Sequence, residues 1–200
     1  MRENGAAILG GVAVGLALIA GGFIWKNHRA SEAEDVAAQH YAVIEAAGDA
    51  EAGRVADLAH ALRAQHPDSA YAVLAALHAA RAQLDAGDAA AAAATLQEAA
   101  GAAADPALDG LVVLRLARLQ LAAGEPADAL ATLGRLEAGS YTGLAADLRG
   151  DAQRALGETE QARAAYDEAL THLDAAAPIR ALVELKLTDL GGAPAASPEA

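Results

Sequence analysis

Two stretches, LARLQLAAGEPADALATLGRL (Leu116–Leu136) and RGDAQRALGETEQARAAYDEAL (Arg149–Leu170), decide the fold, because they repeat one pattern. Each is an apolar helix, a Gly followed by an acid, and a second helix with Ala five residues beyond the Gly. Gly124-Glu125 leads to Ala129, and Gly157-Glu158 leads to Ala162 and then to Tyr166 and Ala169-Leu170. Gly supplies the positive φ that ends the first helix, the acid caps the second, and the small Ala lets the two helices approach. Upstream, Gly87-Asp88 is followed by Ala92 and Ala99, and Gly48-Asp49 is a degraded copy of the same turn. The four Gly-acid pairs lie 39, 37 and 33 residues apart.

Outside these stretches the same logic predicts helices over 31–47, 51–65, 69–86, 89–100, 108–123 and 179–190. Ser31 with the acids of SEAED reads as the N-cap that opens the array, and Pro67 and Asp105-Pro106 read as breaks. The helix 108–123 is apolar nearly all round, with Asp109, Arg115, Arg118 and Gln120 its strongly polar residues. Such a helix is buried on several sides, as in the middle of a stack. No stretch alternates with the period of two that a half-buried strand needs. The tail GGAPAASPEA, 191–200, reads as disordered.

Gly5 to Trp25 is an apolar run of 21 residues without a charge. As a helix it would span roughly 30 Å, the thickness of a bilayer core. A cleavable signal peptide would use Ala6–Ala20 as its apolar core, with Ala20 and Gly22 before the cut. The run continues through Phe23-Ile24-Trp25 without a polar break, which favours an uncleaved anchor in the lipid bilayer. Its Gly11 and Gly15 form a G-x-x-x-G, and Ala7 continues that small face, a candidate packing surface for another membrane helix. One basic residue precedes the span and Lys26 and Arg29 follow it, too few to fix its orientation.

Charge and composition exclude several activities. With 14 Lys and Arg against 27 Asp and Glu the net charge is −13, which repels phosphate backbones and argues against nucleic acid as a partner. The chain has no Cys, so disulfides, thiolate metal sites and Cys nucleophiles are absent together. His60 and His66 are the closest His pair in sequence, and at i, i+6 they face different sides of a helix. No Gly-rich loop joins a strand to a helix. Neither catalysis, a metal nor a cofactor is expected.

The Gly, acid, Ala, aromatic and Ala-Leu positions of 149–170 resemble the tetratricopeptide repeat, whose period is roughly 34 residues. The expected fold is therefore all-α, with one N-terminal transmembrane helix, a tetratricopeptide-like array and a C-terminal capping helix. Its expected divisions are a flank at 1–4, the membrane helix at 5–25, the repeat domain at 26–190 and the tail. Over Gly5–Leu190 the chain further resembles the ancillary-subunit family of the bacterial Sec translocon, called YfgM-like. The resemblance is carried by LRLARLQLAAGEPADALATL (Leu114–Leu133), ADLRGDAQRALGETEQARAAYDEAL (Ala146–Leu170), HPDSAYAVLAALHAARAQLDAGD (His66–Asp88) and LVELKLTDL (Leu182–Leu190). Members carry a longer segment ahead of the membrane helix than the MRENG found here.

That resemblance implies a single-pass protein of the bacterial inner membrane with its repeats in the periplasm. The implied partners are the SecYEG channel, a membrane-anchored periplasmic chaperone of the prolyl-isomerase type, and newly exported client proteins. Repeat domains also serve in assembly of the outer membrane or cell wall, the competing expectation.

In such arrays the first helix of each hairpin lines the concave face. Counting back from the Gly of each turn, nine before gives His78 and Arg115; six before gives Arg81, Arg118 and Asp151. Three before gives Leu84, Leu121 and Arg154, and ten before gives Leu77, Leu114 and Asp147. Two successive hairpins thus place Arg at one height beside Leu, a stripe suited to an acidic or C-terminal peptide segment. Two other outcomes are open: these Arg pair with the chain's own acids, or 179–190 folds back over the Leu floor.

Overall fold

The computed structural model describes the backbone of residues 5–136, 139 and 141–191; within the first helix the side chains of residues 5–15, 17, 18, 27–30 and 32 lie outside the description. Among the described residues there are nine helices. They are α1 (Gly5–Gly48), α2 (Ala52–Gln65), α3 (Ala70–Asp85), α4 (Ala89–Ala99), α5 (Pro106–Ala122), α6 (Pro126–Leu133), α7 (Thr142–Ala155), α8 (Thr159–His172) and α9 (Arg180–Asp189). They form four successive hairpins, α1/α2 to α7/α8, with α9 packed on α8. The expected tail lies outside the described residues from residue 192 onward.

The turns are closed by backbone. After α3, α5 and α7 a Gly adopts the left-handed conformation: Gly87 at φ 84°, Gly124 at 79° and Gly157 at 80°. The next residue then donates its N–H back to a Gln carbonyl five positions earlier: Asp88 to Gln83 at 2.8 Å, Glu125 to Gln120 at 2.8 Å, Glu158 to Gln153 at 2.9 Å. This closure satisfies carbonyls that a helix end leaves bare. The side-chain role expected of the acids holds only at Asp88, whose Oδ1 accepts from Ala91 N at 2.9 Å. Glu125 and Glu158 make no such cap.

The first turn corrects the register read from sequence. The residue with positive φ is not Gly48, which ends α1, but Ala50 at φ 58°, and Glu51 donates to Ala46 O at 3.3 Å. The equivalent turn residues are therefore Ala50, Gly87, Gly124 and Gly157, and the residues five beyond them are Val55, Ala92, Ala129 and Ala162, all fully buried. A search for Gly followed by an acid finds Gly48-Asp49, two residues early, because the true turn uses Ala.

Ser31 is the second correction. It lies inside α1 and not at a helix start, since α1 runs unbroken from Gly5 to Gly48. Between Phe23 and Ala47 there is neither Gly nor Pro to end a helix already formed. The break expected at Asp105-Pro106 is the start of α5: Asp105 accepts from Ala107 N at 2.9 Å and Pro106 occupies the first turn, where a missing N–H costs nothing. Among the described residues no helix is long and apolar enough to cross a membrane. The expected span Gly5–Trp25 falls largely, and its packing residues Ala7, Gly11 and Gly15 wholly, on side chains outside the described residues.

Packing is divided into four cores, each built from one hairpin and the first helix of the next. Val43, Val55, Leu62 and Ala75 belong to the first; Val73, Leu96 and Leu116 to the second; Leu114, Leu133 and Leu148 to the third; Tyr166, Val183 and Leu187 to the fourth. α3, α5 and α7 each serve two cores, which is why α5 is apolar nearly all round. Small residues set how close the helices come. The Tyr166 ring lies against Gly150, so that a Cβ there would come within 3 Å of three ring carbons.

Two predictions follow from these contacts. A Cβ at Gly157 meets no atom within 4 Å, so Gly157→Val suffers from backbone strain alone. It should lose about 1–2 kcal/mol in urea unfolding, whereas Ala50→Gly should gain up to about 1 kcal/mol, strain relief being partly offset by unfolded-chain freedom. Equal midpoints for all three proteins would show that these turns do not set the hairpins. Gly150→Ala should lower stability by about 1–3 kcal/mol although Ala is the better helix former, because it forces the Tyr166 ring aside. Pairing it with Tyr166→Leu should recover part of that loss.

Candidate peptide-binding groove

α1, α3, α5 and α7 stand in a row, each touching the next. Correcting the first turn extends the groove-facing rows to α1. Nine before the turn residue they read Tyr41, His78, Arg115 and Leu148; six before, Ile44, Arg81, Arg118 and Asp151. Tyr41 is 70% and Ile44 41% exposed, large apolar side chains left uncovered on the inner row. Rows counted in the sequence from Gly87 onward name neither; counted from Gly48 they would also miss both, because an offset of two residues rotates a helix by more than half a turn.

α3 and α5 approach each other less closely than α1 and α3 or α5 and α7. In the wedge between them is a cavity of about 300 Å³ lined by Ala80, Arg81, Leu84, Leu96, Arg115, Arg118 and Leu119. Four of the expected groove residues, Arg81, Leu84, Arg115 and Arg118, thus meet at one place. His78 stands at the neighbouring seam, its ring 5.7 Å from that of His40, which in turn lies 5.2 Å from Tyr71. Burial, and to a lesser degree His78, holds His40 below its ordinary value, and His40 Nδ1 has no hydrogen-bond partner among the described residues.

The remaining expected residues do not join this cavity. Leu121 is half-buried against the third core, and Arg154 is exposed on α7. Asp151 is engaged: it accepts from Tyr166 Oη at 2.8 Å and from Lys186 Nζ at 2.8 Å. Lys186, on α9, also reaches Asp147 Oδ1 at 2.7 Å, and its Nζ lies 5.6 Å from the centre of the Tyr166 ring. Burial raises Asp147 above the ordinary carboxylate value, the Lys186 hydrogen bond pulling the other way, and burial with the bond to Asp151 pushes the Tyr166 hydroxyl up. The last inner helix is therefore tied to the cap through Lys186, which is shared by its two acids. Periodicity on α9 marks Val183 and Leu187 as buried, but not the acids that Lys186 meets.

Of the three Arg at the wedge, Arg81 is paired within its helix, Nε to Asp85 Oδ2 at 2.8 Å. That pair is exposed and weak. Arg115 and Arg118 are exposed and make no ion pair among the described residues. A row of stacked hairpins whose inner helices present open side chains defines a helical-repeat binding protein. The chain belongs to the tetratricopeptide repeat-like domain family, whose profile matches residues 1–192. No curated protein matched the chain.

The Lys186 contact gives a test of the cap. Lys186→Met leaves Asp147, whose side chain is 4% exposed, without its cation and should cost about 3 kcal/mol at neutral pH. Asp147 in that variant is protonated in the folded state at a higher pH than in the unfolded chain. The loss should therefore shrink as pH falls through the range just above the ordinary 3.8, read by urea unfolding across pH.

Proposed function

We propose that the protein is a membrane-tethered interaction scaffold of the bacterial inner membrane, with its repeats in the periplasm. In this reading it associates with the SecYEG translocon and links a membrane-anchored prolyl-isomerase-type chaperone to newly exported proteins, acting by binding and not by catalysis. The tetratricopeptide-like array supports the scaffold role, and the likeness of 66–88, 114–133, 146–170 and 182–190 to the translocon ancillary family supports the partners.

One observation carries the tether. Leu16, Ile19, Phe23, Ile24 and Trp25 are 59–72% exposed on a helix continuous with the array, and among the described side chains of α1 the first buried one is Val36. Large apolar side chains so exposed on several sides of a helix match a hydrocarbon environment. A helix without a hinge would carry the groove at a fixed attitude to the bilayer.

Crosslinking and mass spectrometry in native membranes tests the reading. Links from the flanks of the 5–25 run to a SecYEG subunit, with recovery of the chaperone, are expected. Recovery only with outer-membrane assembly factors would replace the translocon role with an assembly role. An export-dependent phosphatase fused after Ala200 should be active, and a silent fusion with normal expression would place the repeats in the cytoplasm.

A further inference from the structure

We propose that His40 and His78 form an acid-sensitive joint between α1, the helix that carries the apolar run, and α3, the first helix of the next hairpin. The two rings meet at the seam of the first core, their centres 5.7 Å apart and their planes tilted by 51°. His40 is 8% exposed and stands on α1 between Val36 and Val43, both buried in that core. The proposal goes beyond the scaffold reading, because the joint works in the chain itself and needs no partner.

The surroundings of His40 suit a neutral ring. A neutral imidazole can keep its proton on Nε2 and leave Nδ1 bare, whereas the imidazolium carries an N–H on both nitrogens. His40 Nδ1 is buried with no hydrogen-bond partner among the described residues, so protonation buries a donor without an acceptor. Among those residues no acid offsets the new charge. α3 faces His40 with the Tyr71 ring, 5.2 Å between centres, and with His78; Arg81, further along α3, is taken by Asp85. α2, the other helix packed on α1, turns Asp57, His60 and Arg63 toward a cavity shared with Thr95 and Glu98 of α4, and its Arg54 pairs with Glu51. On α1 itself Glu34, Asp35 and Glu45 are exposed, five or six residues from His40 and so on other faces of the helix.

Because burial and His78 hold folded His40 below its ordinary 6.5, the unfolded segment takes the proton first. The joint is therefore fully closed at neutral pH and above, weakens as pH falls through 6.5, and weakens no further once the folded form is itself protonated. With both rings charged, two like charges face each other across the seam. α1 then loosens from α3 while the rest of the stack keeps its cores. In the tether reading, neutral pH fixes the attitude of the array to the bilayer and mild acid frees it.

The test is hydrogen exchange read by mass spectrometry on the full chain in phospholipid nanodiscs, with rates corrected for the intrinsic effect of pH. Exchange is compared at about pH 7.5 and about pH 5.5, on either side of the range in which imidazole titrates. Residues 36–48 of α1 should exchange about threefold or more faster at the lower pH, while residues 109–122 of α5 stay unchanged. Asp147, whose displaced value acts in the opposite sense, lies on α7 and leaves this local readout untouched. His40→Gln should remove the acid response; where that variant opens α1 already at the higher pH, His40→Leu is read instead. His78→Gln should reduce the response. A histidine with a packing role alone would change exchange by one factor at both pH values when replaced. Equal wild-type exchange at both pH values, an acid response that survives in the folded His40 variant, or one that His78→Gln leaves whole overturns the joint. The readout needs no partner, so failed SecYEG crosslinks would remove the scaffold reading and leave the joint standing.

Discussion

The structure depends on the double use of its inner helices. α3 buries Ala72, Ala75 and Ala79 in one core and Val73, Ala76, Leu77 and Ala80 in the next, and α5 and α7 are divided in the same way. A helix with two buried faces has little circumference left, and what remains points to the inner side of the row. The groove is thus a by-product of stacking: the positions left for function are those that neither neighbour covers. Stability of such an array is a sum over neighbouring contacts, so each seam is separately exposed to a single substitution.

How near the helices come is set by small residues, and this determines where a cavity can exist. Gly150 admits the Tyr166 ring and seals the last seam, and Ala92, Ala129 and Ala162 let the paired helices meet. Between α3 and α5 a cavity remains, lined by Leu and Arg side chains. The Gly-acid turn, by contrast, is the same local device each time. It closes through backbone hydrogen bonds and accepts Ala50 in place of Gly once, at a conformational cost.

Charge is arranged against the average. The protein is strongly acidic, yet the inner face of α3 and α5 is basic, and the acids that would follow on α7 are held by Lys186 from the cap. Asp147 is buried and Lys186 nearly so, which makes their contact expensive to break from either side. The cap thereby closes the array and offsets one of the two negative charges at the end of the basic row. On the other side, the exposed apolar residues of the first half of α1 mark where the chain leaves its own core behind. In the proposed reading these two ends have opposite tasks, one terminating the array and the other tethering it.

The sequence by itself determined the helical content, the hairpins at Gly87, Gly124 and Gly157, the burial of α5 and the position of α9. Each is fixed by local chemistry: periodicity of three to four residues, a positive φ that only Gly takes freely, a Pro in a first turn. It also placed Arg81, Leu84, Arg115 and Arg118 together, because equal offsets from equivalent turns are equal heights on neighbouring helices. It misplaced the first turn, since Ala50 gives no composition signal and Gly48 two residues away does. It read Ser31 as a start, because a Ser before acids serves equally well inside a helix that nothing interrupts. Only the tertiary structure decided that Tyr41 and Ile44 belong to the inner row and that Lys186 is shared between Asp147 and Asp151. Those outcomes depend on which side chains long separations in sequence bring within a few ångströms, and no local pattern encodes that.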